Sequence, residues 1–461
     1  MYKKILFLLA IVPSFIVAQN TIKGTFTPAE QFKFAFLYQV TADTSIFVDN
    51  ADIAEDGSFV FELKKTQAPG TYRIVYAQPQ DEYNFDFLYN NEDIELTFDL
   101  DKGVEFVTSE ENKLWTSYNN SMSMIGQSLN TFYGSGGKKE KDFKKIIQIL
   151  LNTQTEFEKA AEGKLVLNFI TASQPYAPQQ LIDAKTFTEN AKKAYFSHIN
   201  FGNPVLQNSN FLIEATLNYV FNFIDNDDKN VSYINNINTV EKAIGNNSKV
   251  KKIILEILWN QFAVEEIEPV ANHIANTYLL DIARQTNDNE LVKELTYFKN
   301  ASVGNVGQDF EIIIYDEEGA ATAKKMHDLD EANNYLVVFW STTCSHCLDE
   351  IPELHKLVKT LDKGQLKVIA IALDEDRYRW KDMTYKFPEF YHVFGEGKWD
   401  NPIGDNYNVK ATPSYFVLDK DKKIIKKPYD FKAFETYFKT LPKPEPKVEV
   451  NDEDELDLEK E

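Results

Sequence analysis

The sequence predicts a multidomain chain: an N-terminal antiparallel β domain, an α-helical middle region and a C-terminal α/β fold with a mixed sheet. Three observations carry that reading. Short aromatic and β-branched runs lie between turn signals up to residue 108, and apolar residues recur at helical spacing from 109 to 300. From 301 onward, buried-strand and helix patterns alternate. At about 100–200 residues per domain, 461 residues accommodate several units.

The chain opens with a segment that reads as removed before folding. Lys3 and Lys4 precede an apolar stretch from Ile5 to Val17, interrupted only by Pro13 and Ser14, and Ala18 is a small residue before Gln19. This is the pattern of a cleaved signal peptide over residues 1–18. The stretch is shorter than the roughly 20 residues a membrane span needs. No Cys lies near the cut to take a lipid anchor, and no later segment reads as a membrane span. The expected mature protein is exported and soluble.

Residues 19–108 form the β-rich accessory domain. Phe32 to Val40, Ser58 to Leu63 (after the turn signal Asp56-Gly57), Tyr72 to Ala77, Phe85 to Tyr89 and Ile94 to Leu100 are its strand candidates. They suggest a small sandwich or barrel. Residues 109–300 form the helical region: Phe143, Ile146, Ile147, Leu150 and Leu151 share a helix face, as do Val250, Ile253, Ile254, Ile257 and Leu258. Its aromatic residues read as core.

In residues 301–441, Phe310 to Tyr315 reads as a strand. Tyr335 to Trp340 is continuously apolar, as a strand buried on both faces should be. Ile351 to Leu361 has helical spacing, Leu366 to Leu373 is another buried strand, and Arg377 to Phe387 a helix. Ser414 to Leu418 and Ile424 to Lys427 flank Asp419-Lys420-Asp421-Lys422 as a hairpin, and Phe431 to Leu441 closes with a helix. This order implies a mixed sheet with helices on both faces. Residues 442–461 form a Pro-broken acidic tail, which composition predicts to be disordered.

The formal charge is −22, and removal of Lys3 and Lys4 takes it to −24. Such a surface repels phosphate backbones, so nucleic acid is not expected as a partner. The chain holds only two cysteines, so stability must come from packed cores rather than a disulfide framework.

Those cysteines are Cys344 and Cys347, in Cys344-Ser345-His346-Cys347, placed after an apolar strand and at the opening of a helix. Residues three apart on a first turn share a face, with Cα atoms about 5–6 Å apart, within reach of a disulfide. Unpaired N–H groups at the helix start stabilise a thiolate on the leading sulfur. Cys344 is therefore expected to attack and Cys347 to resolve the mixed disulfide. A protonated His346 near Cys344 would lower the thiol pKa further; the alternative is a solvent-facing helix residue. Zinc would need four ligands, and only His346 and His355 lie nearby, so neither metal nor other cofactor is expected. A purely structural bridge closing so small a loop would add little.

Val337-Val338-Phe339-Trp340-Ser341-Thr342-Thr343-Cys344-Ser345-His346-Cys347 resembles the active-site strand and turn of the TlpA/ResA-like thioredoxins, which are extracytoplasmic thiol–disulfide oxidoreductases. Gly307-Gln308-Asp309-Phe310, Glu350-Ile351-Pro352 and Ala411-Thr412-Pro413-Ser414-Tyr415 resemble further marks of that family, so the resemblance spans about 301–440. It implies a thioredoxin-like fold, a nucleophile at Cys344 and a resolving thiol at Cys347. Glu350 would be an acid near the pair that moves protons; the alternative is an exposed helix acid. The resemblance also implies a cis Pro413 that leaves the Thr412 backbone open to an extended substrate, and it counts Trp340 with Thr412 and Pro413 as substrate-binding, packed beside the site rather than taking part in the chemistry. Residues 19–300 resemble the accessory region of Bacteroidetes proteins of this type, implying the periplasm.

Thr343 stands where many relatives have Trp, and His346 where many have Pro. The Ser-His pair resembles the Pro-His pair of the oxidising DsbA proteins, so the redox direction stays open. The expected partners are thiols and disulfides of exported proteins, together with an electron donor that the sequence does not name. A dithiol oxidase or isomerase is the near alternative. A partner-binding protein with a redox-modulated contact is another. A thiol peroxidase would want a Pro upstream of Thr342, which this stretch lacks.

Overall fold

A computed structural model of the chain describes residues 20–42, 44–64, 66–224, 227–315 and 320–442. The expected signal peptide, 1–18, and residues 443–461 of the expected tail, 442–461, lie outside the described residues. Two compact units divide the chain, residues 1–261 and 262–461.

The first unit begins with eight strands: β1 (Asn20–Thr27), β2 (Phe34–Val40), β3 (Ser45–Asp52), β4 (Ser58–Leu63), β5 (Gly70–Val75), β6 (Asn84–Tyr89), β7 (Ile94–Asp99) and β8 (Gly103–Phe106). They form two four-stranded sheets, ordered β4-β1-β7-β8 and β3-β2-β5-β6. Inward residues alternate as the pleat dictates: Phe59, Phe61 and Leu63 of β4 are buried while Val60 and Glu62 face out. They join Ile22, Leu37, Tyr72, Phe87 and Leu96 in one core drawn from both sheets. The ladders are antiparallel except for β1 with β7. Those two strands are far apart in sequence, so no hairpin sets their direction.

Helices follow: α1 (Glu110–Gly134), α2 (Glu140–Ala160), α3 (Val166–Ala172), α4 (Ala184–Ala194), α5 (Pro204–Gln207), α6 (Phe211–Asn222), α7 (Lys229–Ile244) and α8 (Ser248–Val264). Polar side chains of α1 tie this block to itself and to the sandwich. The buried Asn112 amide accepts from the Leu88 N–H (2.8 Å) and donates to its carbonyl (2.7 Å), completing edge strand β6. Buried Glu111 accepts the N–H groups of Leu165 (3.0 Å) and Val166 (2.8 Å), whose donors at the start of α3 have no helical partner.

The second unit takes in α9 (Glu268–Ile274), α10 (Leu280–Gln285) and α11 (Asn289–Asn300), then a two-stranded sheet of β9 (Glu311–Tyr315) and β10 (Ala321–Lys325). Its centre is a five-stranded sheet ordered β13-β12-β11-β14-β15, from β11 (Asn334–Trp340), β12 (Leu366–Leu373), β13 (Tyr391–Gly395), β14 (Ser414–Asp419) and β15 (Ile424–Lys426). Strands β11, β12 and β13 run parallel, and β14 and β15 antiparallel to their neighbours. The helices are α12 (Ser345–Val358), α13 (Arg377–Thr384), α14 (Pro402–Asn406) and α15 (Phe431–Phe438).

Every residue of β11 is buried. Tyr335, Val337 and Phe339 enter one core, while Leu336, Val338 and Trp340 enter the other with Cys347 and Phe434. That is why the run is continuously apolar. Gly307 has a steric reason: a Cβ there would lie 2.6 Å from the Tyr407 hydroxyl, which donates to the Gln308 carbonyl (3.0 Å). At Glu268, a buried carboxylate accepts from the Val303 N–H (2.7 Å) and from Lys427 (2.6 Å).

Candidate functional site

The site begins where β11 stops. Beyond Trp340, Ser341-Thr342-Thr343 turn into α12, and Cys344 is the residue that caps that helix. Its Sγ accepts the Cys347 N–H (3.5 Å), and its thiol donates to the Thr412 carbonyl (3.2 Å). The Thr412–Pro413 bond is cis. Both cysteines are free thiols, Cys344 half-buried and Cys347 buried.

Their ionisation is driven in opposite directions. Partial burial pushes Cys344 up, but hydrogen bonds from the Cys347 side chain, from the Cys347 and His346 N–H groups and with Thr412 outweigh it, leaving the pKa lowered. Burial pushes the Cys347 thiol up to about 12, reinforced by its bond to Cys344 and by charge there. What reaches the Cys344 sulfur from His346 is the backbone N–H; the imidazole side is exposed.

Glu350 is half-buried. Its Oε2 accepts from the Tyr415 hydroxyl (2.7 Å) and from the Phe431 N–H at the start of α15 (2.8 Å). Tyr415 is itself pushed far up by burial, then by Glu350, with Cys347 contributing. Glu350 is thus an anchored acid linked through Tyr415 to the surroundings of Cys347, which corrects the exposed alternative. His355, the other histidine near the pair, hydrogen-bonds to Glu389.

Trp340 requires a correction. It is 0% exposed and packs edge-on to Phe387 within the core beneath the site. A side chain sealed in that way offers no surface to a substrate. Thr412 and Pro413 are half-buried beside Cys344 and keep an accessible face.

Asp374 carried no sequence expectation. Buried just past β12, it accepts from the Ser341 hydroxyl (2.6 Å) and the Thr342 N–H (2.9 Å). Ser341 in turn accepts the Thr343 N–H (3.2 Å). Asp374 therefore braces the turn that delivers Cys344. The signal was present: β11 and β12 are paired in register at Trp340 and Ala372, so an acid just past one strand faces the turn leaving the other. Asp374→Ala is expected to cost about 1–3 kcal/mol, because buried donors lose their acceptor. It should also raise the apparent pKa of Cys344, read from alkylation rate against pH.

A family model described as thioredoxin-like matches residues 333–424, which hold both cysteines and the Thr412–Pro413 turn. Over that stretch the chain is thioredoxin-like and similar to the TlpA/ResA-like thioredoxins. Curated members it is similar to include the thiol-disulfide oxidoreductase ResA of one Bacillus cereus strain, 29% identical over 89 residues, or 19% of this chain and 50% of the relative. ResA of a second Bacillus cereus strain is 27% identical over 135 residues, or 28% of this chain and 72% of that one. The chain thus spans only half the length of the first of these. A thioredoxin-like protein from Bacteroides caccae has 19% identity, covers 57% of this chain and 96% of its own, and has a TM-score of 0.39. Residues 20–117 match a separate family model, a domain of unknown function (DUF4369). In the thioredoxin-like domain, no group of three His, Cys, Asp or Glu among the described residues is arranged to hold a metal.

Proposed function

We propose that this chain is a thiol–disulfide oxidoreductase of the periplasm that reduces disulfides of exported proteins through Cys344 and Cys347. The observation that carries this reading is the placement of two neighbouring free thiols, Cys344 half-buried as the cap of α12 and Cys347 buried behind it, which drives their pKa values in opposite directions. A nucleophile must be ionised and reachable, and a resolving thiol must wait.

The Cys344 thiolate attacks one sulfur of a substrate disulfide. That S–S bond breaks, a Cys344–substrate disulfide forms, and the departing thiolate takes a proton from water. The charge and hydrogen bond that raised Cys347 are then lost from Cys344, so Cys347 ionises more readily. Its proton passes toward Glu350 by way of solvent or Tyr415. Cys347 then attacks Cys344, a Cys344–Cys347 disulfide forms, and the second substrate thiol leaves. Two electrons have moved to the substrate, and an electron donor must return them. Thr412 offers its backbone beside the sulfur to an extended substrate segment.

Residues 1–18 support export. Among the described residues, no helix is long and apolar enough to cross a membrane.

The test is insulin reduction with mixed-disulfide trapping. The wild-type protein should turn over, Cys344→Ala should not, and Cys347→Ala should accumulate a covalent complex through Cys344. Turnover that survives Cys344→Ala sinks the proposal. The direction is read from equilibration with glutathione: a potential well below roughly −200 mV marks a reductant, and about −120 mV an oxidant.

A further inference from the structure

The outer face of sheet β3-β2-β5-β6 is not sealed by the helices laid over it. A cavity of about 220 Å³ remains, lined by Thr71 of β5, Asp86 of β6, Trp115 of α1, Phe169 of α3, and Phe211 and Glu214 of α6. It lies wholly within the first unit and uses no residue of the thiol chemistry.

Three observations say what it would take. First, Thr71 is 5% exposed, and its Oγ1 has no hydrogen-bond partner although it lines the cavity. Buried hydroxyls are nearly always paired, so a hydroxyl with no protein partner at a cavity wall marks a place for a polar atom. Second, the charge there is unbalanced. Arg73 grips Asp86 through both oxygens, at 2.7 and 3.0 Å, which satisfies one acid. Glu214 shares the cavity rim with no ion pair among the described residues; loss of hydration and then the Asp86 charge push its carboxyl pKa up, against the pull of Arg73. Third, the remaining walls are aromatic, with Trp115 lying 5.6 Å from Phe169 between ring centres. Ring faces attract cations.

We propose that this cavity binds a small organic ammonium compound, its cationic head at Glu214, its apolar body against Trp115 and Phe211, and a polar atom at the Thr71 hydroxyl. The excess carboxylate disfavours anions. The volume falls below the roughly 300–1,000 Å³ of drug-sized sites, so the ligand is of amino-acid or biogenic-amine size.

The probe is tyramine, cationic at neutral pH and carrying a second polar atom, its hydroxyl, for Thr71, titrated calorimetrically into the full chain beside 4-hydroxyphenylacetate, its anionic counterpart. Saturable binding of the amine and none of the acid is expected. Glu214→Gln, at the solvent-facing rim, should weaken the amine by about tenfold or more, or 1.4 kcal/mol. Thr71→Val should raise the melting temperature of the free protein and also weaken the amine, a combination that a merely structural threonine would not produce. No amine binding at millimolar concentration, equal binding of both probes, or undiminished affinity in both variants overturns the proposal.

Discussion

Brief alkylation of the reduced protein with iodoacetamide at pH 7 should modify Cys344 and leave Cys347 almost untouched. The thiolate is the species that alkylates. With its pKa near 12, Cys347 holds only about one molecule in 10⁵ as thiolate at that pH. Cys344 lies below its ordinary value, and even a free cysteine is a few per cent ionised there. The two rates should therefore differ by more than about a thousandfold, and the burial of Cys347 widens the gap. The Cys344 rate should climb with pH and level off at lower pH than a free cysteine does. In Cys344→Ala the Cys347 pKa should fall, since its hydrogen bond to Cys344 and the charge there are gone, yet stay above the ordinary thiol value, since burial remains. Comparable labelling of the two wild-type sulfurs, measured by peptide mass spectrometry, would remove the ground for assigning them different roles.

The second large effect concerns Trp340. Replacing it with Ala should destabilise the C-terminal domain by about 3–5 kcal/mol, because a fully buried indole leaves a cavity that the sheet cannot close. Trp340→Phe keeps most of the volume and should cost about 1–2 kcal/mol. The indole Nε1 is buried without a hydrogen-bond partner, so its removal forfeits no bond. Denaturant titration gives the stability, and insulin reduction gives the other half of the test. Because Trp340 does not face the substrate, Trp340→Phe should leave KM unchanged where it stays folded. A several-fold rise in KM at unaltered stability would return Trp340 to the substrate surface.

How far the sequence could be read depended on how local the determining physics was. The continuous run of β11 and the turn Asp419-Lys420-Asp421-Lys422 between β14 and β15 are local signals, and the structure holds a buried strand and a hairpin there. The β-rich start and helical middle were visible for the same reason. Short β13 was passed over, since Tyr391-His392-Val393-Phe394 mixes polar and apolar residues and is identified by its pairing with β12. The parallel β1–β7 ladder is set by distant chain closure that no local pattern marks. At the site, a C-x-x-C at a helix start marks both sulfurs, because their geometry is that of a single helical turn. Asp374 and Tyr415 belong to other strands and meet the turn only through sheet register. Trp340 was read as near the site, and it is near, but which way a residue faces at a strand end depends on what covers the sheet.

The sulfur that reacts is also the atom that holds the first turn of α12 in place. As a thiolate it is a charged acceptor for that turn; in a disulfide it is neutral and accepts poorly. The two oxidation levels should therefore differ in thermal resistance. A thiol whose pKa drops on folding stabilises the reduced chain above its unfolded pKa, and that margin fades as the pH falls through the lowered folded value. A bridge three residues long restores little by restricting the unfolded chain. Buried Cys347, with its raised pKa, works the other way above the ordinary thiol value, where it ionises readily only in the unfolded chain. The reduced protein's advantage on heating should therefore peak just below that value and narrow in both acid and alkaline buffer.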